Sequence, residues 1–328
     1  MASGRCEVAN RQAALQYRAD KRLEQGQDFL GHDSRLGDGM MSTEQAAAAK
    51  AAGKKHWTRD DIPWDQFDPS KVDPDILRIV KAASLVEYNG DDYAQYLCGV
   101  FHDDPEFQEA ARQWAVEEIQ HGEVLAEWAQ LADPTFDAEK ARRRFSEGYR
   151  VDVTATQSIR GSRSGELIAR CMVETGTSSY YTALRNATEE PVLREICRNI
   201  AADELRHWKL FYSHLKRYLD KEHIGVLRRL AIAIGRARET EDDELSLAFY
   251  VANDDIAEPY DRKKSYRAYA RRAARYYQAD TLERAVAMTL KACGLKPHTK
   301  LNLWASRLAA WQARRIANKP DLYPSIAA

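Results

Sequence analysis

The apolar positions of this chain recur with a period near 3.6 residues over most of its length, which indicates α-helices. From Ile76 to Val86 they follow that period, behind Asp73 or Asp75 as a capping residue and a Pro74 suited to a first helical turn. The sequence NGDD at 89–92 interrupts the pattern, which then resumes. β-Branched residues nowhere alternate over a useful length, so the sequence predicts an all-α fold without strands.

Polar turns divide the rest of the pattern into further helices. HDDPE at 102–106 turns the chain, and a basic, helical segment at 138–150 followed by SIRGSRSG at 158–165 forms a long crossover. The segment 56–74 is rich in Pro, Asp and Trp, and its aromatic side chains are expected to pack against the main fold and hold the segment there. The predicted helices are 105–131, 166–187 and 191–221, followed by two or three more within 223–253, 261–292 and 297–317.

Composition narrows the class of protein. The 328 residues carry 49 basic and 50 acidic side chains, a net charge of −1, which excludes a nucleic-acid binder that works by bulk positive charge. Five scattered cysteines without a C-x-x-C pair predict reduced thiols in the cytoplasm and exclude a built-in rubredoxin-type iron centre. No apolar run approaches the roughly 18 residues of a transmembrane helix. We therefore expect a soluble cytoplasmic protein, either free or peripheral at a membrane.

Two predicted helices share a short motif with metal-binding potential. Residues 117–121 read EEIQH and residues 203–207 read DELRH, so each contains Glu-x-x-His. Positions i and i+3 lie about 60° apart around a helix, so each motif offers one carboxylate and one imidazole to the same point. One such motif is most often solvated surface, whereas two copies with matched partners favour a binding site.

Each motif follows another glutamate by one helix length. Glu87 precedes Glu118 by 31 residues, and Glu174 precedes Glu204 by 30 residues. A helix of about 20 residues and a short turn return the chain to the same level over this interval. Two matched hairpins joined by the long crossover therefore predict a four-helix bundle.

Such a bundle would project four glutamates and two histidines into its core, which is the ligand set of a di-iron or di-manganese carboxylate site. Carboxylates neutralise and bridge two divalent cations, while neutral imidazoles suit iron and leave positions open for oxygen. We predict that two iron ions, or a Mn/Fe pair, are bound by Glu87, Glu118, His121, Glu174, Glu204 and His207.

These six positions resemble the ferritin-like di-iron carboxylate superfamily over about residues 75–220. EEIQHG at 117–122 and DELRH at 203–207 look like the E-E-x-x-H-G and D-E-x-R-H motifs of soluble acyl-carrier-protein desaturases, although Gln120 stands where the first motif usually has arginine. Rubrerythrins, bacterial aldehyde-deformylating oxygenases and di-iron hydroxylases share the ligand pattern more loosely. The resemblance implies a ferritin-like bundle with one long crossover.

Two residues after Glu174 are candidates for a catalytic role. ETGT at 174–177 is similar to the E-x-x-T of the desaturases, where the threonine lies beside the oxygen site. Thr177 and Tyr181 should share the helical face of Glu174. Thr177 is expected to hydrogen-bond to oxygen, and Tyr181 either lines the pocket, takes part in redox steps or simply packs in the core.

Two acidic residues are expected to orient the histidine ligands. A metal-bound histidine normally donates its second N–H to an acceptor, often a carboxylate. Asp203 and Glu117 each precede a ligand glutamate directly. We predict that Asp203 orients His121 and that Glu117 orients His207; the alternative is that both acids are helix-surface charges.

The carboxy-terminal helices carry two surface patterns. Leu301, Trp304, Leu308 and Trp311, here called the apolar stripe, are spaced by three, four and three residues, which favours packing on the bundle or on a sister subunit over a membrane. Residues 262–275 contain seven basic and no acidic side chains, typical of a solvated face or of a dock for an acidic acyl carrier protein or anionic lipid. These basic residues are Arg262, Lys263, Lys264, Arg267, Arg271, Arg272 and Arg275.

Three segments and one leading function are predicted. Residues 1–56 form a flexible polar arm, 57–221 the di-metal bundle, and 222–328 a helical extension packed on it. The leading hypothesis is an O2-activating di-iron oxidoreductase of the desaturase or hydroxylase type that acts, as a homodimer, on a hydrophobic, acyl-chain-like substrate. No flavin, nicotinamide or iron-sulfur motif is visible, so a ferredoxin or reductase would supply electrons. The alternatives are a rubrerythrin-like peroxidase or ferroxidase, and a metal-bound scaffold.

Overall fold

The computed structural model describes residues 56–239, 243–253, 256 and 259–323. The chain divides into two compact units, Met1–His56 and Trp57–Ala328. The arm predicted for residues 1–56 lies outside the described residues, apart from His56. In the part of the chain that is described, all regular structure is helical, which confirms the all-α prediction.

Three short 3-10 turns, Arg59–Asp61, Trp64–Gln66 and Pro69–Lys71, precede the α-helices of the second unit. None of the described helices combines the length and the apolarity needed to cross a bilayer. The α-helices are α1 (Pro74–Glu87), α2 (Gly90–Val100), α3 (Pro105–Ala132), α4 (Ala138–Gly148), α5 (Arg163–Ala187), α6 (Pro191–Glu222), α7 (Val226–Arg238), α8 (Asp243–Ala252), α9 (Arg262–Ala274), α10 (Ala279–Ala292) and α11 (Lys300–Ala317).

Three of the long helices begin in the same way, with a proline in the first turn behind an acidic cap. The carboxylates of Asp73, Asp104 and Glu190 accept hydrogen bonds from the first free backbone N–H groups of α1, α3 and α6. Both features satisfy or remove donors that a helix start leaves without a partner. The NGDD interruption is the break between α1 and α2, and it makes Glu87 the last residue of α1.

The four helices that carry the predicted ligands pack side by side as two hairpins. Helices α1 and α2 both pack on α3, α5 packs along α6, and α3 contacts α6. Two glycines allow the close approach to α3: a Cβ at Gly90 would lie 2.6 Å from the Cβ of Glu118, and one at Gly122 would lie 2.9 Å from the carbonyl oxygen of Ser84. A larger residue at either position would push the helices apart beside the ligands.

Two clusters of buried apolar side chains form the core, and the ligand positions of α3, α5 and α6 fall between them, while Glu87 follows the α1 residues of the first cluster. On α3, one cluster includes Phe107 to Ala115 and the other Val124 to Ala129, and Glu118 and His121 lie in the interval. On α5 and α6 the same change of cluster brackets residue 174 and residues 204–207. The predicted ligands therefore occupy one polar layer between two apolar ones.

The carboxy-terminal third holds more helices than predicted. Two or three helices were expected after residue 222, whereas α7 to α11 are five. The break between α9 and α10 falls at 275–278, a stretch without glycine or proline, so no local signal marks it. Helices α7 and α10 pack on α5, α8 and α9 pack on α1, and α11 packs on α9 and α10.

The apolar stripe of α11 does not pack on the neighbouring helices, and the prediction of packing on the bundle is wrong for these four residues. Leu301, Trp304, Leu308 and Trp311 are 48%, 64%, 40% and 51% exposed. The buried positions of α11 are instead two polar residues, Asn302 and Ser306. Helix α11 thus buries two small polar side chains and presents its large apolar ones outward.

Candidate metal centre

The structure brings the six predicted ligands together in one buried cluster. Glu87 ends α1, Glu118 and His121 lie one turn apart on α3, and Glu174 lies in the middle of α5. Glu204 and His207 lie one turn apart on α6. The two most exposed of the six, Glu87 and Glu118, are only 6% exposed.

The six side chains form two overlapping groups of four. In each group, one ligand atom per residue lies within 4.8 Å of the others. The carboxylates of Glu118 and Glu204 belong to both groups. The first group is Glu87, Glu118, His121 and Glu204, and the second is Glu118, Glu174, Glu204 and His207.

Both imidazoles direct the same nitrogen atom at the carboxylates. The Nδ1 atom of His121 lies 3.3 Å from an oxygen of Glu204, and the Nδ1 atom of His207 lies 3.0 Å from an oxygen of Glu118. The two ring centroids are 5.8 Å apart. Each group therefore has one nitrogen donor and three carboxylates, and two carboxylates are shared.

The second nitrogen of each imidazole contacts a carboxylate on the opposite helix. The Nε2 atom of His121 lies 3.1 Å from Asp203, and the Nε2 atom of His207 lies 2.8 Å from Glu117. The guanidinium of Arg206 donates to both of these carboxylates, at 2.5 Å to Asp203 and 3.0 Å to Glu117. These contacts fix the ring orientations and keep both Nδ1 atoms directed into the cluster.

The cluster contains buried polar atoms without hydrogen-bond partners. These are one oxygen each of Glu118 and Glu204, both oxygens of Glu174, and the Nδ1 atoms of both histidines. Buried polar groups almost always have partners, because an unpaired one costs free energy of about 1–3 kcal/mol. These six atoms belong to the predicted ligand set, and oxygen and imidazole nitrogen donors suit divalent cations. The cluster could therefore hold metal ions.

The surroundings of the cluster raise the pKa of two carboxyl groups and lower the pKa of a third. Burial raises the pKa of Glu87 well above its ordinary value, and the negative charge of Glu118 adds to this. Burial likewise raises the pKa of Glu174. For Glu118 burial acts in the same direction, but hydrogen bonding to His121 and His207 outweighs it and lowers the pKa well below the ordinary value. Protons are thus retained on Glu87 and Glu174, the two carboxyl groups that belong to only one group each, rather than on Glu118.

The two imidazoles hold protons strongly. Burial acts to lower the pKa of His121, but its contacts with Asp203 and the cluster carboxylates dominate and raise the pKa well above 6.5. The same balance, with Glu117 in place of Asp203, raises the pKa of His207. A metal ion that binds at Nδ1 has to displace such a proton.

The two residues predicted to be catalytic each donate a hydrogen bond to a predicted metal-binding glutamate. The hydroxyl of Thr177 donates to Glu204 at 2.6 Å. The fully buried Tyr181 donates a short hydrogen bond to Glu87. Both side chains therefore hold a ligand carboxylate in position from one face of α5.

Sequence reasoning missed the role of Trp57. Its indole N–H donates to Asp203 at 2.7 Å, and its ring lies parallel to that of His121 with a centroid separation of 6.0 Å. Gln120, which departs from the desaturase motif, donates to the backbone carbonyl of Trp57 at 3.1 Å. The available signal was weak: a tryptophan in the segment before α1, with no periodic pattern to place it.

One exposed stretch of α5 and one cleft lie near the cluster. Between residues 164 and 184, α5 is buried except at Met172, Val173, Gly176 and Thr177, here called the α5 window, and a Cβ at Gly176 would meet nothing within 4 Å. A cleft of about 410 Å³ borders the cluster on the other side, where Trp114, Glu117, Arg206 and His207 line it. A larger cleft, of about 540 Å³, contains none of the predicted ligands.

The basic run at 262–275 is largely paired within the chain. Arg272 is completely buried and makes salt bridges with Asp75 and Asp321, both at 2.8 Å. Arg275 and Arg271 pair with the same two aspartates. Lys263 and Arg267 are exposed. The charge that this helix offers to a partner is therefore smaller than the sequence indicates.

No protein-family model and no curated protein matches this sequence.

Proposed function

We propose that residues 57–221 form a ferritin-like four-helix bundle with one long crossover, and that this bundle binds two iron ions and catalyses an O2-dependent oxidation of a hydrophobic substrate. The observation that carries the proposal is the pair of four-residue groups that share Glu118 and Glu204 and contain unpaired buried donor atoms. A single metal site has no need of two shared carboxylates, whereas this set of four glutamates and two histidines on four helices is the one that di-metal carboxylate bundles use.

The ligand assignment follows from the two groups. Glu87 and His121 would hold one ion, Glu174 and His207 would hold the other, and Glu118 and Glu204 would contact both. When bound, a pair of ferrous ions supplies the two-electron reduction of O2 that the oxidation of an unactivated C–H bond requires.

The protein's own side chains position the ligands and exclude water. Asp203 and Glu117 hold the imidazoles with Nδ1 directed inward, and Thr177 and Tyr181 hold the carboxylates of Glu204 and Glu87. The apolar clusters above and below the layer keep bulk water away and favour an apolar substrate. The α5 window is the route by which such a substrate reaches Thr177.

Each turnover also needs two electrons and two protons. Each hydroxylation consumes one O2, two electrons and two protons, and it releases one water beside the hydroxylated product. The sequence contains no flavin, nicotinamide or iron-sulfur motif, so the proposal includes an external ferredoxin or reductase. The docking of acyl carrier protein on Lys263 and Arg267 of α9 stays a prediction, and so does the homodimer.

A peroxidase or ferroxidase is the second candidate, and the cleft at His207 favours it. This cleft brings solvent to the edge of Glu117 and His207, where a small polar oxidant could approach without crossing the apolar clusters.

Anaerobic loading with Fe(II) tests the metal assignment. The wild-type chain should bind two irons, and Glu118→Ala should bind at most one tightly, because it removes a shared carboxylate. Glu123→Ala, on the same helix but exposed, is the matched control and should still bind two. Loading of one iron or none in the wild type, or two in Glu118→Ala, would rule out the proposed centre.

Oxidation of the loaded protein separates the two candidate reactions. Faster oxidation by O2 than by H2O2, followed by absorbance in a stopped-flow instrument, is expected for the oxygenase or desaturase. Faster oxidation by H2O2 would favour the peroxidase.

A further inference from the structure

Helix α11 presents large apolar side chains to solvent as a continuous face. The four residues of the apolar stripe are between 40% and 64% exposed, and Leu303 beside them is 45% exposed. Two of the stripe residues are tryptophans, the side chain that is enriched where protein meets the lipid headgroup region. A face of this size on an 18-residue helix marks an interaction surface rather than scattered exposure.

The same helix is strongly cationic. From Lys296 to Pro320 the sequence has six lysine and arginine residues and no acidic residue. Lys300, Arg307 and Arg314 recur every seven residues and lie about 60–100° around the helix from the centre of the stripe. The guanidinium of Arg315 lies 5.5 Å from the centre of the Trp311 ring, within the stripe itself. Apolar and basic residues thus share one outward-facing side of α11.

The charge argues against a second copy of this chain as the occupant. Two α11 helices paired through their stripes would bring two rows of basic residues together without an acid on the helix to offset them. Like charges placed opposite each other are destabilising. An anionic lipid surface instead attracts each basic residue, while its interface accepts leucine and tryptophan side chains.

We propose that α11 binds the surface of an anionic lipid bilayer and lies parallel to it, with the apolar stripe inserted at the headgroup boundary and Lys300, Arg307 and Arg314 against the lipid phosphates. At 1.5 Å per residue the helix offers about 27 Å of contact. Its cationic composition and its exposed leucine and tryptophan side chains make it a helix that lies on a membrane. This inference does not depend on the metal centre, so either can fail without the other.

Sedimentation with vesicles tests the proposal on the full-length protein. Binding should be strong to vesicles of phosphatidylcholine with one quarter phosphatidylglycerol and at least tenfold weaker to phosphatidylcholine alone. Lipids brominated in the acyl chains should quench tryptophan fluorescence, and Trp304→Ser with Trp311→Ser should remove that quenching. Neutralising Lys300, Arg307 and Arg314 to glutamine should weaken binding about 100-fold, since each basic residue contributes about fivefold.

Matched variants separate this helix from general charge and apolarity. Neutralising three exposed arginines elsewhere, Arg112, Arg142 and Arg198, changes net charge equally and should weaken binding less than threefold. Val116→Ser with Leu131→Ser removes exposed apolar groups from α3 and should have no effect. Equal binding to both vesicle types, unchanged binding of the α11 variants, or a solution dimer that Trp304→Ser with Trp311→Ser dissociates would each overturn the proposal.

Discussion

Four of the six predicted ligands, Glu87, His121, Glu204 and His207, contact a neighbour that is not itself a ligand. Thr177 holds Glu204, Tyr181 holds Glu87, and Asp203 holds His121 while accepting a hydrogen bond from Trp57. Buried carboxylates have several rotamers of similar energy, and these hydrogen bonds select one of them. The supporting residues should therefore affect both metal affinity and the stability of the metal-free fold.

Thr177→Val tests this at a single hydroxyl. The change keeps the shape of the side chain and removes the hydrogen bond to Glu204, which should weaken metal binding about 10- to 100-fold. The free energy of unfolding of the metal-free protein should fall by about 1–3 kcal/mol, because a charged acceptor loses a donor. Affinity can be measured by competition with a coloured chelator, and stability by urea denaturation.

Ser178→Ala is the control for this experiment. Ser178 follows Thr177 and is fully buried, but its hydroxyl has no hydrogen-bond partner. Its removal should change metal affinity less than threefold. Equal effects of the two substitutions would show that the hydroxyl of Thr177 does not position Glu204.

At the scale of elements, helix starts are well specified by sequence and helix partners are not. Asp104 with Pro105, and Glu190 with Pro191, mark the first turns of α3 and α6 because capping is local. The break between α9 and α10, and the contacts that bury Arg272, depend on residues distant in sequence. The sequence of residues 262–275 therefore predicted a basic surface patch, although Arg272 within it forms buried ion pairs.

Arg272→Met should be strongly destabilising. The guanidinium of Arg272 donates to Asp75 at the start of α1 and to Asp321 and the carbonyl of Tyr323 near the end of the chain. Its removal takes one of two arginine partners from each aspartate and a donor from the carbonyl of Tyr323. Loss of one partner from a fully buried ion pair costs about 3–5 kcal/mol, which is the upper bound for this substitution. Chemical denaturation should show the loss.

Arg267→Met, on the exposed side of the same helix, provides the comparison. Its effect on the free energy of unfolding should stay within about 0.5 kcal/mol. Similar stability of the two variants would mean that the ion pairs of Arg272 contribute no net stability.

At the scale of the whole molecule, the polar layer between two apolar clusters explains how much of the site the sequence could predict. Helical period and hairpin length are local quantities, so Glu118 with His121, and Glu87 one hairpin away, could be assigned to one level. Contacts such as that of Trp57 with Asp203 depend on how a non-helical segment crosses the bundle. The exposure of the apolar stripe depends on which face α11 turns to its neighbours, and periodicity does not specify that choice.

The layer also predicts how pH and metal together control stability. The raised pKa values of His121 and His207 mean that protonated imidazoles stabilise the metal-free fold below about pH 6.5, and that this contribution is lost as the pH rises through the folded-state pKa. Glu87 and Glu174, whose pKa values burial raises, act in the same direction. Bound cations replace these protons, so the loaded protein should not lose this contribution at high pH.

Thermal unfolding of chelator-treated and Fe(II)-loaded protein between pH 6 and pH 9, under anaerobic conditions, measures this coupling. Free metal at 100 times its Kd should stabilise the fold by about 2.7 kcal/mol per site, and at a fixed metal concentration the stabilisation should grow with pH because binding releases protons. Glu118→Ala should show almost no pH-dependent gain, because a shared ligand is missing. A stabilisation that is equal at pH 6 and pH 9, or larger at pH 6, would mean that the metal does not displace protons from this cluster and binds elsewhere on the chain.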